Sequence, residues 1–276
     1  MTRLLSLCGV LAALLLTPGN GAAAPTATVT LLQGNGSLIS GIKRYNLAVG
    51  YRLKPADIIE LDQHSMLQIE TDDGTTVAFD GGSRAMMFPE RGDMLELFLL
   101  RGVVKIAVPK GALSVKLDTP QFDMQVAGAT VVAMVSAGEG QLFAEVGPVK
   151  LTGNGTEKTL NTSDYCLLKP GLGDAVVSAL PQSFVQALPA AFKDALPNLL
   201  PELKDSSDQL GGERDFSYSE VQEWLDTVPP VRKLLVDNWE AKSHDPPFRK
   251  ALIRDLSKHP EWRPVLFPPR HRHGRR

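Results

Sequence analysis

The chain has 276 residues, of which 43% are hydrophobic, 22% charged and only 6% aromatic, and its formal net charge is −2 at pH 7. That balance suits one or two folded domains and excludes a strongly basic nucleic-acid binder and a low-complexity chain. Two cysteines, one of them in an apolar leader, exclude a disulfide framework within one mature chain.

Arg3 is followed by an apolar run over residues 4–16, then by "TPGNG" and the small residues Gly21, Ala22 and Ala23. This is the three-part pattern of a secretory signal, and the run is short of the roughly 20 residues a spanning helix needs. Cleavage after Ala23 is expected, because a cut after Ala24 would leave Pro25 at the new terminus. Cys8 follows Leu7 rather than a small residue, so no lipid anchor is expected. Residues 1–23 are therefore read as a signal peptide. The mature chain is expected to be periplasmic or secreted, and not membrane-spanning.

From residue 26 to about 175 the hydrophobic period is near two, as in "ATVTLLQG", "MLELFLLRGVVKIAV" and "GQLFAEVGPVKLTG". Glycines introduce short valine-rich strands at Gly74, Gly102, Gly128 and Gly147, with spacings of 28, 26 and 19 residues. The stretch "VAGATVVAMV" is no phosphate loop. Such a loop must lead from a strand into a helix, whereas a β-branched run follows Gly128. The four glycines are read as structural turns. Cys166 is read as a buried small residue in a strand. Asp57, Glu60, Asp62 and Glu70 are read as the wet face of strands.

The order "LKPADIIELDQHSMLQIETDDGTTVAFDGG", "LELFLLRGVVKIAV", "LDTPQFDMQVAGATVVAMV", "GQLFAEVGPVKL" and "TLNTSDYCLLKPG" resembles a FecR domain over residues 27–175. Ala129 stands where that family usually has threonine, with Thr130 next. The resemblance implies an extracytoplasmic, β-helix-like or solenoid-like domain without catalytic residues. In iron-uptake regulators such a domain receives a signal from an outer-membrane receptor. Those regulators also use a cytoplasmic sigma-factor-binding segment and a membrane span, neither of which is read here, so direct sigma-factor control is not expected.

Residues 179–213 are read as a Leu-Pro repeat segment and linker. Leu-Pro recurs from Leu180, Leu188 and Leu196, with Phe184 and Phe192 in equivalent places. Each proline limits the preceding helix to a turn or two, and the segment is expected to lie on a surface, on its own β-domain or as a partner peptide. Residues 214–268 are read as a small helical module, opened by the Ser217/Glu220 capping box. One face carries Val221, Trp224 and Leu225, the next Val231, Leu235 and Trp239, the third Phe248, Ala251 and Leu252. "HPEWRPVLFPP" is read as extended chain, which makes Trp262 a possible partner contact. Residues 269–276, with His271 and His273, are read as a disordered basic tail.

Residues 24–213 carry 15 Lys+Arg against 22 Asp+Glu, a net of −7, and residues 214–276 carry 13 against 9, a net of +4. Opposite potentials favour docking of the helical module on the β-domain, and its size makes a marginal core alone. No catalytic, metal or cofactor motif is present in the sequence: G-x-S-x-G, H-E-x-x-H, C-x-x-C and the EF-hand pattern are all missing. The expected protein is mainly β with a helical C-terminal module. Its expected role is non-enzymatic, a protein-binding or scaffolding component of the cell envelope with an unidentified envelope protein as partner and no nucleic acid. A sensory component serving a separate membrane protein, or a carbohydrate- or peptidoglycan-binding module, is the alternative.

Overall fold

The computed structural model describes residues 26–89, 94–153, 155–169, 175–177, 180–203 and 210–269. The predicted signal peptide, positions 204–209 of the predicted linker, and the tail from 270, with His271 and His273, lie outside the described residues.

Short strands pair into two sheets. One runs in the order Thr28–Gln33, Met66–Glu70, Thr76–Asp80, 102–107, Thr130–Ser136, Glu139–Val146, Tyr165–Leu168 and Ala175–Val177. The other runs Gly211–Arg214, Lys43–Asn46, Gly36–Ser40, Ile58–Leu61, Arg84–Met87, 95–101, Val115–Asp118, Phe122–Val126, Val149–Gly153 and Thr156–Leu160. The long strand Leu95–Ala107 belongs to both.

Leu95, Leu97 and Leu99 face the interior on its first half, and Val104 and Ile106 do so on its second, so the alternation changes parity in between. A one-residue slip would turn every side chain to the wrong face. A bulge resets it: Arg84 pairs with Arg101, whereas Ala85 pairs with Leu99. Gly102 follows at φ +116°, and a Cβ there would lie 2.5 Å from the Ser83 Cα. Only glycine fits both the backbone conformation and the close approach.

The interior between the sheets is aliphatic, with Leu38, Ile59, Leu97, Leu117, Val126 and Leu151 facing Val29, Leu67, Val77, Ile106, Val131 and Leu142. Cys166 is buried there. The β-helix or solenoid implied by the resemblance is not what forms. A solenoid stacks parallel coils, but among the described residues every ladder except the one between 95–98 and 115–118 is antiparallel, and the sheets do not close. Tight turns return several strands antiparallel beside their predecessors, as at Asp73-Gly74 between Met66–Glu70 and Thr76–Asp80, where Gly74 has φ +85°. The molecule is a mainly β sandwich followed by a helical region.

Many strands are buried on both sides; Ile58–Leu61 and residues 95–100 have no exposed position. Antiparallel sheets usually leave one face wet. Here the chain's own C-terminal third covers much of the outer faces.

Candidate interaction surfaces

The outer face of the second sheet carries an apolar row across four strands, Ile39, Ile58, Met86 and Phe98. On it lie α1 to α4 of the C-terminal region: Tyr218–Leu225, Pro229–Trp239, Pro246–Arg254 and Arg263–Leu266. Their buried residues Val221, Trp224, Leu235, Trp239, Phe248 and Leu252 join the sheet row in one core. Ser217 and Glu220 make the reciprocal capping box that opens α1. Arg214 holds the Glu220 carboxyl down to about 2.

Beside the apolar row runs a charged one, Ser37, Glu60, Arg84 and Arg101. The Trp224 indole N–H donates to Glu60 at 2.9 Å, and Arg44 reaches the same carboxylate at 2.6 Å. Glu223 bridges Arg84 at 2.8 Å and Arg101 at 3.0 Å. Glu60 is thus no wet-face acid. It is the polar anchor of the helical cover.

Trp262 is not an exposed contact. Residues Pro260–Trp262 form a 3-10 turn that runs into α4, so this stretch is not extended, and the Trp262 ring is fully buried in the helical core. The Arg232–Glu261 pair, at 2.8 Å, fixes the neighbouring position. His259 is fully buried beside it, 3.7 Å from Asp226, and burial lowers its pKa.

The first sheet is covered differently. The segment 180–203 crosses its strands along a single row, Tyr165, Phe143, Val132, Lys105, Ala78 and Gln68. Phe184 and Phe192, eight residues apart, are its buried anchors, and Leu180, Leu188 and Leu196 pack around them. The Phe184 ring meets Tyr165 edge-on with centroids 5.4 Å apart. The backbone of this strap is held by side chains of the sheet. Lys105, 1% exposed, donates to the carbonyls of Phe192 and Asp194 at 2.9 Å each and pairs with Glu145 at 2.7 Å. Gln68 donates to the Pro197 carbonyl at 2.8 Å. Glu70 accepts from the N–H groups of Leu199 and Leu200 at 2.9 and 3.0 Å. Glu70 too leaves the wet face, and Asp57 is buried against the Tyr51 hydroxyl and the Lys54 N–H.

The remaining outer face is open. Across Val115–Asp118, Phe122–Val126, Val149–Gly153 and Thr156–Leu160 the ladders align Asp118, Asp123, Thr152 and Glu157 in one row, and Lys116, Gln125, Lys150 and Thr159 in the next. All of these but Asp118, which lies beside Pro230 and Leu234 of the helical cover, line a concave groove of about 610 Å³. Burial, then the Asp118 charge directly opposite, raises the pKa of Asp123. No aromatic side chain lines the groove. Among the described residues, no three His, Cys, Asp or Glu gather as a metal site.

The glycines lie away from that groove's floor. Gly74 and Gly128 have φ of +85° and +59° in connections between strands. Gly147 lies where its Cβ would meet the carbonyl carbon of Asn161 at 2.8 Å. Asp73 beside Gly74 does more than turn the chain, because its carboxylate accepts from the N–H groups of Thr75 and Leu113 at 3.0 and 2.7 Å. At the predicted boundary between linker and helical module, Gly211–Arg214 is a strand on Lys43–Asn46.

An antiparallel sandwich of this kind, hinged on a glycine-bulged strand, places the chain among β-rich domains. More narrowly, residues 57–147 match the family described as FecR protein, so the chain carries a FecR domain. That match begins at the buried Asp57 and takes in the hinged strand. Two crystal structures of a proposed anti-sigma factor from Parabacteroides distasonis ATCC 8503, at 1.65 and 2.50 Å, are each 15% identical to the chain. Each has a TM-score of 0.39, with 44% of this chain and 58% of that chain covered, so the likeness spans little more than half of the other protein. No curated protein matches the sequence.

Proposed function

We propose that this protein is a non-enzymatic, exported regulatory component of the bacterial cell envelope that acts by binding another protein through the open polar face of its FecR domain. FecR domains belong to regulatory proteins, which favours signalling over passive scaffolding. The observation that carries the reading is the asymmetry of cover. The chain covers much of both outer faces with its own residues, yet leaves open the groove over Asp123, Thr152 and Glu157 and over Lys116, Gln125 and Lys150. Adjacent rows of opposite charge give orientation and partner choice more than raw affinity. The carbohydrate reading is disfavoured, because a sugar ring is normally stacked on an aromatic face and the groove has none.

The test is a photo-crosslinking amino acid placed at Gln125 or Lys150 in cells, with Val49, an exposed residue elsewhere on the domain, as control. The same envelope protein crosslinked from both groove positions, and not from Val49, is the expected result. Adducts independent of position would overturn the reading. Export is checked separately: the mature protein should be released by osmotic shock with Ala24 at its N-terminus.

A further inference from the structure

We propose that the face beneath the strap is a peptide-binding site, held in this structure by the chain's own segment 180–203 as a resident pseudo-ligand that a partner segment of the same chemistry replaces. The proposal rests on the reading that the protein works through protein contacts, and it names a second surface and the kind of partner that fits it.

Three features of the strap are those of a bound peptide rather than a structural layer. It adds no strand to either sheet; its regular structure is the six-residue helix Gln182–Ala187 and two three-residue 3-10 turns. Its main chain, not its side chains, is what the sheet's polar groups recognise. Lys105 takes two carbonyls, Gln68 a third, and Glu70 two N–H groups. Its deeply buried side chains are two anchors, Phe184 and Phe192, both with 1% or less of their surface exposed, with Leu180, Leu188 and Leu196 partly buried around them.

Lys105 and Glu70 are 1% exposed, and Gln68 is fully buried. Such groups on an outer sheet face are costly unless partnered, and main-chain partners are what any polypeptide offers. Proline punctuation leaves carbonyls and N–H groups outside helices, where these side chains reach them. The ligand class follows. It is a polypeptide segment broken by prolines, with two phenylalanines eight residues apart and two adjacent free N–H groups about seven residues beyond the second. Both ends of the strap return to the same sandwich, at Ala175–Val177 and at Gly211–Arg214. A second copy's strap is tethered in the same way and exchanges poorly, so a partner's segment is the occupant assigned.

The test uses the full mature chain and a fluorescent peptide of residues 180–203. The chain is weakened in its own strap by Leu199→Pro, which removes an N–H that Glu70 accepts, or by the pair Phe184→Ser and Phe192→Ser. Neither variant alters a sheet residue. When the cis strap is released more often, the apparent affinity for the peptide should rise about tenfold or more over the parent chain, in proportion to the competent fraction. The peptide should also raise the melting temperature of both variants in a concentration-dependent way, which provides a readout even where the serine variant folds poorly. A peptide with both phenylalanines replaced by serine should do neither. Folded Leu199→Pro protein that ignores the native peptide, equal binding of the serine peptide, or a strap-exchanged dimer would each overturn the proposal. Because the assay uses purified protein and a defined peptide, its failure is separable from a failure of groove crosslinking.

Discussion

The two covered faces of the sandwich are closed by opposite means. The helical cover brings its own core: Trp224, Trp239, Trp262 and Phe248 are buried among themselves as well as on Ile58, Met86 and Phe98. The strap has no core. It borrows two pockets and relies on Lys105, Gln68 and Glu70 to satisfy its backbone. Cover of the first kind is lost only with extensive unfolding, whereas a segment with few buried contacts opens locally at lower cost. The comparison separates a permanent wall from a removable one.

The hinge common to both faces should be the most sensitive point. Gly102→Val would put branched carbons against the Ser83 backbone at positive φ, and a loss of about 4–5 kcal/mol, enough to abolish soluble expression, is expected. Gly74→Val, whose nearest neighbour is a Pro109 side-chain carbon at 3.5 Å, should cost only about 1–2 kcal/mol by denaturant unfolding. Equal effects at the two sites would remove the hinge from the account.

Next in size are the tryptophans. Trp262→Ala should destabilise by about 3–5 kcal/mol, because it opens a large cavity in the helical core. A surface contact would leave unfolding unchanged. Lys105→Met is expected to cost about 3 kcal/mol, since strap carbonyls and Glu145 lose a buried partner together. Its protease sensitivity should appear within 180–203 and not in the helices.

The smallest effect is acid weakening of the helical cover. His259 has its pKa lowered by burial, so the unfolded chain takes up its proton first. Stability is then full above the ordinary value of 6.5 and declines as pH falls below it. Glu220, held at about 2 by Arg214, contributes above 4.5 and loses that contribution as pH falls from 4.5 towards 2. His259→Phe should flatten the first step in a pH series of melting temperatures and leave the second.

Much of this was legible in the sequence. The period-two strands, the three helix faces and the Leu-Pro repeat each name their buried residues through local spacing, and the FecR resemblance located the β domain. The β-helix expectation failed because local spacing does not report whether the next strand stacks parallel or folds back. Glu60, Glu70 and Gln68 were missed for a related reason. In isolation a polar residue alternating with aliphatic ones looks like the wet face of a strand, and its buried partner lies about 130 to 164 positions away. "VVKIAV" held the one available hint, a lysine inside an otherwise apolar strand. Trp262 is misplaced by the sequence because the prolines of "HPEWRPVLFPP" suggest extended chain, whereas Pro260 and Pro264 sit at helix starts, where proline is well tolerated.

Amide hydrogen exchange on the intact mature protein tests the contrast between the two covers most directly. The N–H groups of Leu199 and Leu200, bound to Glu70, should exchange well before those of α1 and α2 and before the sandwich core at Val104 and Val131, and Leu199→Pro should accelerate Leu200 alone among these. Protection of Leu200 equal to that of the sandwich core, lost only on global unfolding, would contradict the account and make the strap as permanent as the helices.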